Sequence, residues 1–231
     1  MPAMLAQRPE SVSQPSDTAP AERPLLRGVS HQWAFVVMLT LAPIVLVISP
    51  GIAPRFVMAT YMVGLVGLFG ISALYHRHHW GERGKAIMRR LDHSMIFVAI
   101  AATYTPIAIF VLPGTTGLAV LVVVWLGAAA GIASRLLVSH APYWVIAVPY
   151  VAVGWACVAV GPSLWHHMGV AGMVLLIVGG VLYTVGAAIY ATRRPNPWPS
   201  IFGYHEIFHL FVIAGAALHC VAIVFFALPK A

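Results

Sequence analysis

The chain has 231 residues, of which 61% are hydrophobic and only 8% charged, with a net charge of +7 and a mean hydropathy of +0.89. Soluble domains carry about 25% charged residues, so the composition excludes a soluble enzyme and points to a polytopic membrane protein. The basic excess needs no nucleic-acid partner, because Lys and Arg beside membrane spans serve to orient them.

Residues 1–28 hold Pro2, Pro9, Pro15, Pro20 and Pro24 among Ala, Ser and charged residues, without the apolar core of a signal peptide. They are expected to form a disordered cytoplasmic tail, leaving 29–231 as the membrane domain, with its first span acting as an uncleaved signal. A helix crossing about 30 Å of hydrocarbon needs roughly 20 apolar residues. Seven stretches qualify, at 31–48, 56–75, 91–112, 117–138, 143–160, 169–191 and 201–228. Pro43, Pro106 and Pro149 fall inside them, which membrane helices tolerate when neighbours satisfy the freed carbonyls. Trp33, Trp80, Trp144, Trp165 and Trp198 lie near span ends, as an aromatic belt requires. The expected fold is therefore an all-α, seven-transmembrane helix bundle.

Counting Lys and Arg on each side gives its orientation. Eleven lie on the side of the N-terminus and of the second, fourth and sixth loops, and only Arg55 and Lys230 on the other. The N-terminus is expected in the cytoplasm and the C-terminus outside, with some attraction of the basic loops to anionic lipid headgroups. A compact chain with a short tail fits a multi-pass protein of a bacterial inner membrane. Cys157 and Cys220 lie within spans without CxxC spacing and read as small buried hydrophobes.

Ionisable side chains inside spans are costly and mark function by default. They are His76 at the end of span two, Asp92 opening span three with His93 beside it, and His205, Glu206, His209 and His219 in span seven. The charge-derived topology puts the end of span two and the starts of spans three and seven at one depth, on the cytoplasmic side. Within span seven, His205-Glu206-Ile207-Phe208-His209 matches the H-E-x-x-H pattern of zinc proteases. The two histidines stand about 40° apart around the helix and about 6 Å along it, so both imidazoles can face one ion. His76 supplies a third nitrogen from another helix, leaving a fourth position open as in catalytic zinc sites. A Zn²⁺ ion, a hydroxide and the Asp92 carboxylate sum to zero charge, which suits a low-dielectric site. Ser72 lies one turn below His76 on the same face, where its hydroxyl can orient water or a substrate carbonyl. His31, His140, His166 and His167 read as exposed residues at span ends or in loops, and His78 and His79 as loop residues. His219, about 15 Å deeper than His209, contacts a lipid headgroup or caps a buried hydrogen-bond network.

The set Ser72-Ala-Leu-Tyr-His76, Leu91-Asp92-His93-Ser94-Met95-Ile96-Phe97, Ala102-Thr103-Tyr104-Thr105-Pro106, His205-Glu-Ile-Phe-His209 and Ala217-Leu218-His219 closely resembles the hemolysin III family, within the wider group of progestin and adipoQ receptors. The resemblance covers all seven spans. It implies a seven-helix bundle with an intracellular N-terminus and zinc near the cytoplasmic face, with His76, His205 and His209 as ligands, Asp92 holding the water and Ser72 beside it. The likeness of these proteins to alkaline ceramidases suggests hydrolysis of lipid amides, with Asp92 rather than Glu206 as the base.

Three functions compete. The first is a zinc-dependent hydrolase of a lipid amide or ester, using a zinc-activated water near the cytoplasmic face. The second is a non-enzymatic membrane sensor or receptor-like protein in which zinc clamps spans two, three and seven together; family membership alone does not decide between them. The third is a cytolysin, which ordinarily needs a soluble state or an amphipathic inserting segment, neither of which is visible. A retinal protein is excluded because Lys85 and Lys230, the only lysines, lie outside the spans. A two-haem cytochrome lacks a partner for His219.

Overall fold

The structure, a computed structural model, describes residues 23–137 and 143–231. The expected tail up to residue 22, and the expected exposure of His140, lie outside the described residues. The described chain is helical: α1 (Val29–Ile48), α2 (Ile52–Arg77), α3 (Glu82–Phe110), α4 (Gly114–Leu137), α5 (Tyr143–Gly154), a 3₁₀ segment (Trp155–Val160), α6 (Gly161–Thr192) and α7 (Tyr204–Ala222). Beyond α7 a π turn (Ile223–Ala227) and a last 3₁₀ turn (Leu228–Lys230) continue the same rod. Among the described residues there is no strand, only an isolated bridge between Trp198 and Phe202.

Among the described residues, six continuous helical runs are long and apolar enough to cross a membrane, where seven separate spans are expected. The difference lies between α5 and α6, which form one run, Ala147–Thr192, with no helix-free break. Gly169 is the one residue inside α6 with non-helical geometry (φ 69°, ψ −178°), a left-handed conformation that glycine adopts at no steric cost. The two flanks of Gly169 touch: the Trp155 indole N–H donates to the Thr184 hydroxyl at 2.9 Å, and Gly161 faces the Met173 side chain.

Helix ends also differ from the expected spans for physical reasons. α3 starts at Glu82, nine residues before its apolar stretch, because Arg83, Lys85, Arg89 and Arg90 continue the helix as a polar extension. Pro43, Pro106 and Pro149 are accommodated inside helices. Around Pro106 the Thr103 and Thr105 hydroxyls donate to the Ala99 and Ala101 carbonyls. Where α5 gives way to 3₁₀ geometry, the Tyr104 hydroxyl donates to the Gly154 carbonyl and accepts from the Cys157 N–H, each at 2.7 Å. One side chain on α3 thus satisfies two backbone groups that the change of helix type leaves unmatched. Cys157 and Cys220 are free thiols and only partly buried.

α2 and α3 form the centre, with Tyr61, Met62, Leu65, Phe69 and Phe97 no more than 1% exposed. Val36, Leu39 and Val47 of α1, like Leu118, Val123 and Leu126 of α4, are exposed, as expected of faces turned to lipid. Hydrocarbon solvent gives helices no hydrophobic reason to associate, so close approach through small residues matters more. Gly64 sits where α2 meets α3: a Cβ there would lie 2.4 Å from the Ala102 Cβ. The same rule joins α6 to α7, where a Cβ on Gly215 would be 3.1 Å from the Gly179 carbonyl. Gly64→Val should therefore lower stability by about 1–3 kcal/mol through overpacking, read as a drop in thermal midpoint in detergent. Val63→Leu, on the exposed neighbouring position, should leave the midpoint unchanged.

Candidate metal centre

Three helices supply the site, α2 and α7 through turns at one end and α3 from its third turn. The last turns of α2 carry Ser72 and His76, the polar start of α3 leads into Asp92, and the first turn of α7 carries His205 followed one turn on by His209. The ligand atoms of His76, His205 and His209 lie within 4.8 Å of one another. His205 Nε2 and His76 Nε2 face each other at 3.1 Å. His209 is buried and the other two rings partly so.

Asp92, 8% exposed, places Oδ2 3.9 Å from His76 Nε2. Its carboxyl is also hydrogen-bonded to the buried Ser72 hydroxyl. The structure thus brings together the residues that the depth argument grouped from distant parts of the chain.

The donor set fits a zinc ion. Two nitrogens each about 2.0–2.1 Å from a tetrahedral zinc stand roughly 3.3 Å apart, close to the observed 3.1 Å. His209 keeps a buried Nδ1 without a hydrogen-bond partner among the described residues. Three imidazoles whose ligand atoms converge in this way can hold a metal.

Glu206, the acid of H-E-x-x-H, points elsewhere. Its Oε2 accepts the Gly203 N–H at 2.8 Å, capping the first turn of α7. Its Oε1 pairs with Arg27 Nε. With both oxygens engaged and 2% exposure, it is an anchor for the helix start, unlike the base of a zinc protease.

Arg27 belongs to residues 23–28, which the sequence places in the tail. They instead lie across the end of the site formed by the C-terminus of α2 and the loop before α7. Leu25 and Leu26 N–H donate to the Ser200 and Ile201 carbonyls, and the Arg23 guanidinium donates to the His78 carbonyl. Gly28 (φ 79°) packs so closely that a Cβ would lie 2.6 Å from the His76 Cβ.

His31 is the residue that sequence reasoning missed. It is 3% exposed rather than solvent-facing, and its ring stacks on His209 with centroids 3.7 Å apart and planes 7° from parallel. The depth criterion that grouped the other histidines applied equally to the start of span one. His166, His78 and His79 are exposed as expected, and His167 is partly buried, its Nδ1 facing the Ser163 carbonyl. His219 takes the second of its two expected roles, its Nε2 donating to the Leu176 carbonyl at 3.0 Å and joining α7 to α6.

A cavity of about 140 Å³ opens from this centre into the bundle. Ser72, Asp92, His205 and His209 line one end and His219 the other, with Ile96, Ile100, Tyr104, Val151 and Tyr183 among the walls. The ten residues from His209 to His219 correspond to about 15 Å of bilayer depth.

A chain of helices enclosing buried histidines, an acid and an apolar cavity is an all-α, multi-pass integral membrane protein with a candidate metal centre. Comparison with known proteins makes it specific: residues 20–220 match the model of the family described as haemolysin-III related, and the chain belongs to that family. It is 32% identical over 171 residues to hemolysin-3 of Bacillus cereus, covering 74% of this chain and 75% of that one. It is 34% identical over 145 residues to the hemolysin-3 homolog of Bacillus subtilis, covering 63% and 65%. A more distant relative, monocyte to macrophage differentiation factor of Homo sapiens, is 29% identical over 171 residues, covering 71% and 67%. The wider group of progestin and adipoQ receptors thus includes this chain, and its bacterial relatives place it in the plasma membrane.

Glu206→Gln removes the charge that Arg27 faces, so it should cost about 1–3 kcal/mol of thermal stability. Metal stoichiometry, measured by elemental mass spectrometry on the same preparation, should stay at the wild-type value, since Glu206 is turned away from the ligand atoms.

Proposed function

We propose that this chain is a zinc-dependent hydrolase of a lipid amide or ester, working at the cytoplasmic face of the membrane. The observation that carries this reading is that the cluster of three histidines, Asp92 and Ser72 opens directly onto a mainly apolar cavity running inward along the bilayer. A purely structural metal needs no cavity at its side.

His76, His205 and His209 would hold the ion. When bound, zinc would supply Lewis acidity to a substrate carbonyl and to the attacking water. The Asp92 carboxylate, open toward His76, would accept the proton that water gives up on attack and return it to the departing amine or alcohol. Ser72, through its hydrogen bond, fixes which way that carboxyl faces. The walls between Asp92 and His219 exclude bulk water and align an acyl chain, so that its carbonyl meets the polar end.

The finer topology belongs to the same proposal. The run Ala147–Thr192 has 46 residues, about 69 Å of helix at 1.5 Å per residue, more than twice the hydrocarbon thickness. Folding back at Gly169 turns it into two crossings and the whole into seven. With Arg27, Arg77, Arg135 and Arg193 then on one side, the N-terminus and the metal centre face the cytoplasm and the C-terminus lies outside.

The competing reading is a receptor-like protein with a structural zinc clamp, supported by the way His76 and His205 tie α2 to α7. Metal analysis and one substitution separate the two. Purified wild type should hold about one zinc per chain and His209→Ala should lose most of it. Asp92→Asn should keep its zinc and lose about 10²–10⁴-fold of lipid amide hydrolysis. A clamp would instead show a large fall in thermal midpoint on chelation, and no turnover above the His209→Ala background.

A further inference from the structure

We infer that His31 is a positioning residue of the metal centre, holding the His209 ring by stacking rather than by ligating the ion. This inference rests on the proposed metal site and adds a fourth helix to it.

The first turn of α1 runs beside the first turn of α7 in matching steps. Arg27 pairs with Glu206, and four residues on, His31 meets His209, three residues beyond Glu206. Arg27 precedes α1 and its N-cap Gly28 (φ 79°), while Glu206 and His209 are three apart on one face of α7, so the two contacts are successive rungs of one ladder up that face. The outer rung is ionic and sets the register. The inner rung is a flat stack of two imidazoles.

Geometry excludes His31 from the ligand set. A metal lies in the plane of the imidazole that binds it, about 2.0–2.1 Å from the nitrogen. With the His31 plane 7° from parallel and its centroid 3.7 Å away, the lone pairs of His31 run alongside that ion and do not converge on it. Its ring contacts are His209, stacked face to face, and Phe69, edge-on at 5.1 Å. An imidazole clamped between an aromatic ring and a second imidazole can turn His209 in only one way.

Groups that orient a ligand typically account for 10–100-fold in metal affinity. The test is a competitive chelator titration of zinc on full-length, detergent-purified protein, with the visible spectrum of the cobalt-substituted form as a second readout. His31→Ala should weaken zinc binding about 10–100-fold. His31→Phe keeps a flat ring on His209, has the adjoining cavity to expand into, and should restore near wild-type affinity with an unchanged cobalt spectrum.

Equal affinity in wild type and His31→Ala would overturn the positioning role. Loss in His31→Phe as deep as in His209→Ala, with an altered cobalt spectrum, would overturn it differently, by making His31 a ligand. Absence of metal binding by wild type itself would instead remove the proposed site on which the inference stands. Should His31→Ala fail to fold, the comparison of His31→Phe with wild type and His209→Ala still decides between stacking and ligation.

Discussion

A polar group inside hydrocarbon must find its partner within the protein, because lipid offers none. Much of this structure follows from that constraint. Thr103, Thr105 and Thr184 spend their hydroxyls on carbonyls of their own helices. Tyr104 repairs the change from α to 3₁₀ geometry, and His219 reaches a carbonyl on α6. The cluster of His76, Asp92, His205 and His209 answers the same demand from three stretches distant in sequence. It stands apart in that its nitrogens face one another and not a donor, the arrangement that a cation satisfies.

The rule explains which features could be read from sequence. Depth in the membrane is nearly one-dimensional, and counting charges between spans was enough to group the residues of α2, α3 and α7. Side-chain direction is a different matter. Glu206 lies about 80° around α7 from the histidine face, an offset that left open whether it reached the site. Its direction is set by the Gly203 N–H, its capping-box partner three residues back, and by Arg27, which no spacing rule links to it. His31 was equally hidden. It has no second histidine one turn away and opens a helix near its end, so nothing local distinguished it from an interfacial ring.

Turns were less legible than spans for a related reason. The break that the sequence places between 160 and 169 is helical in the structure, through Ser163, His166 and His167, and only Gly169 at its far edge leaves helical geometry. At the other end of the chain, Pro and charge in residues 23–28 resemble those of a solvated tail, yet their backbone N–H groups pair with carbonyls of the loop before α7. Composition describes what a segment can dissolve in, and says little about which distant backbone will accept its hydrogen bonds.

The docking of residues 23–28 has a consequence for how the protein is made. Arg27 and Glu206 are 179 residues apart, a stretch that takes about 10–40 s to synthesise at about 5–20 residues per second. Throughout that time the start of α1 waits beside the membrane with its arginine and its histidine unmatched, and His76 has no nitrogen facing it. α7 therefore supplies the missing half of the ion pair, of the imidazole stack and of the histidine cluster together. Completion of the bundle and assembly of that cluster are one event, so a chain truncated before α7 would lack the candidate metal centre.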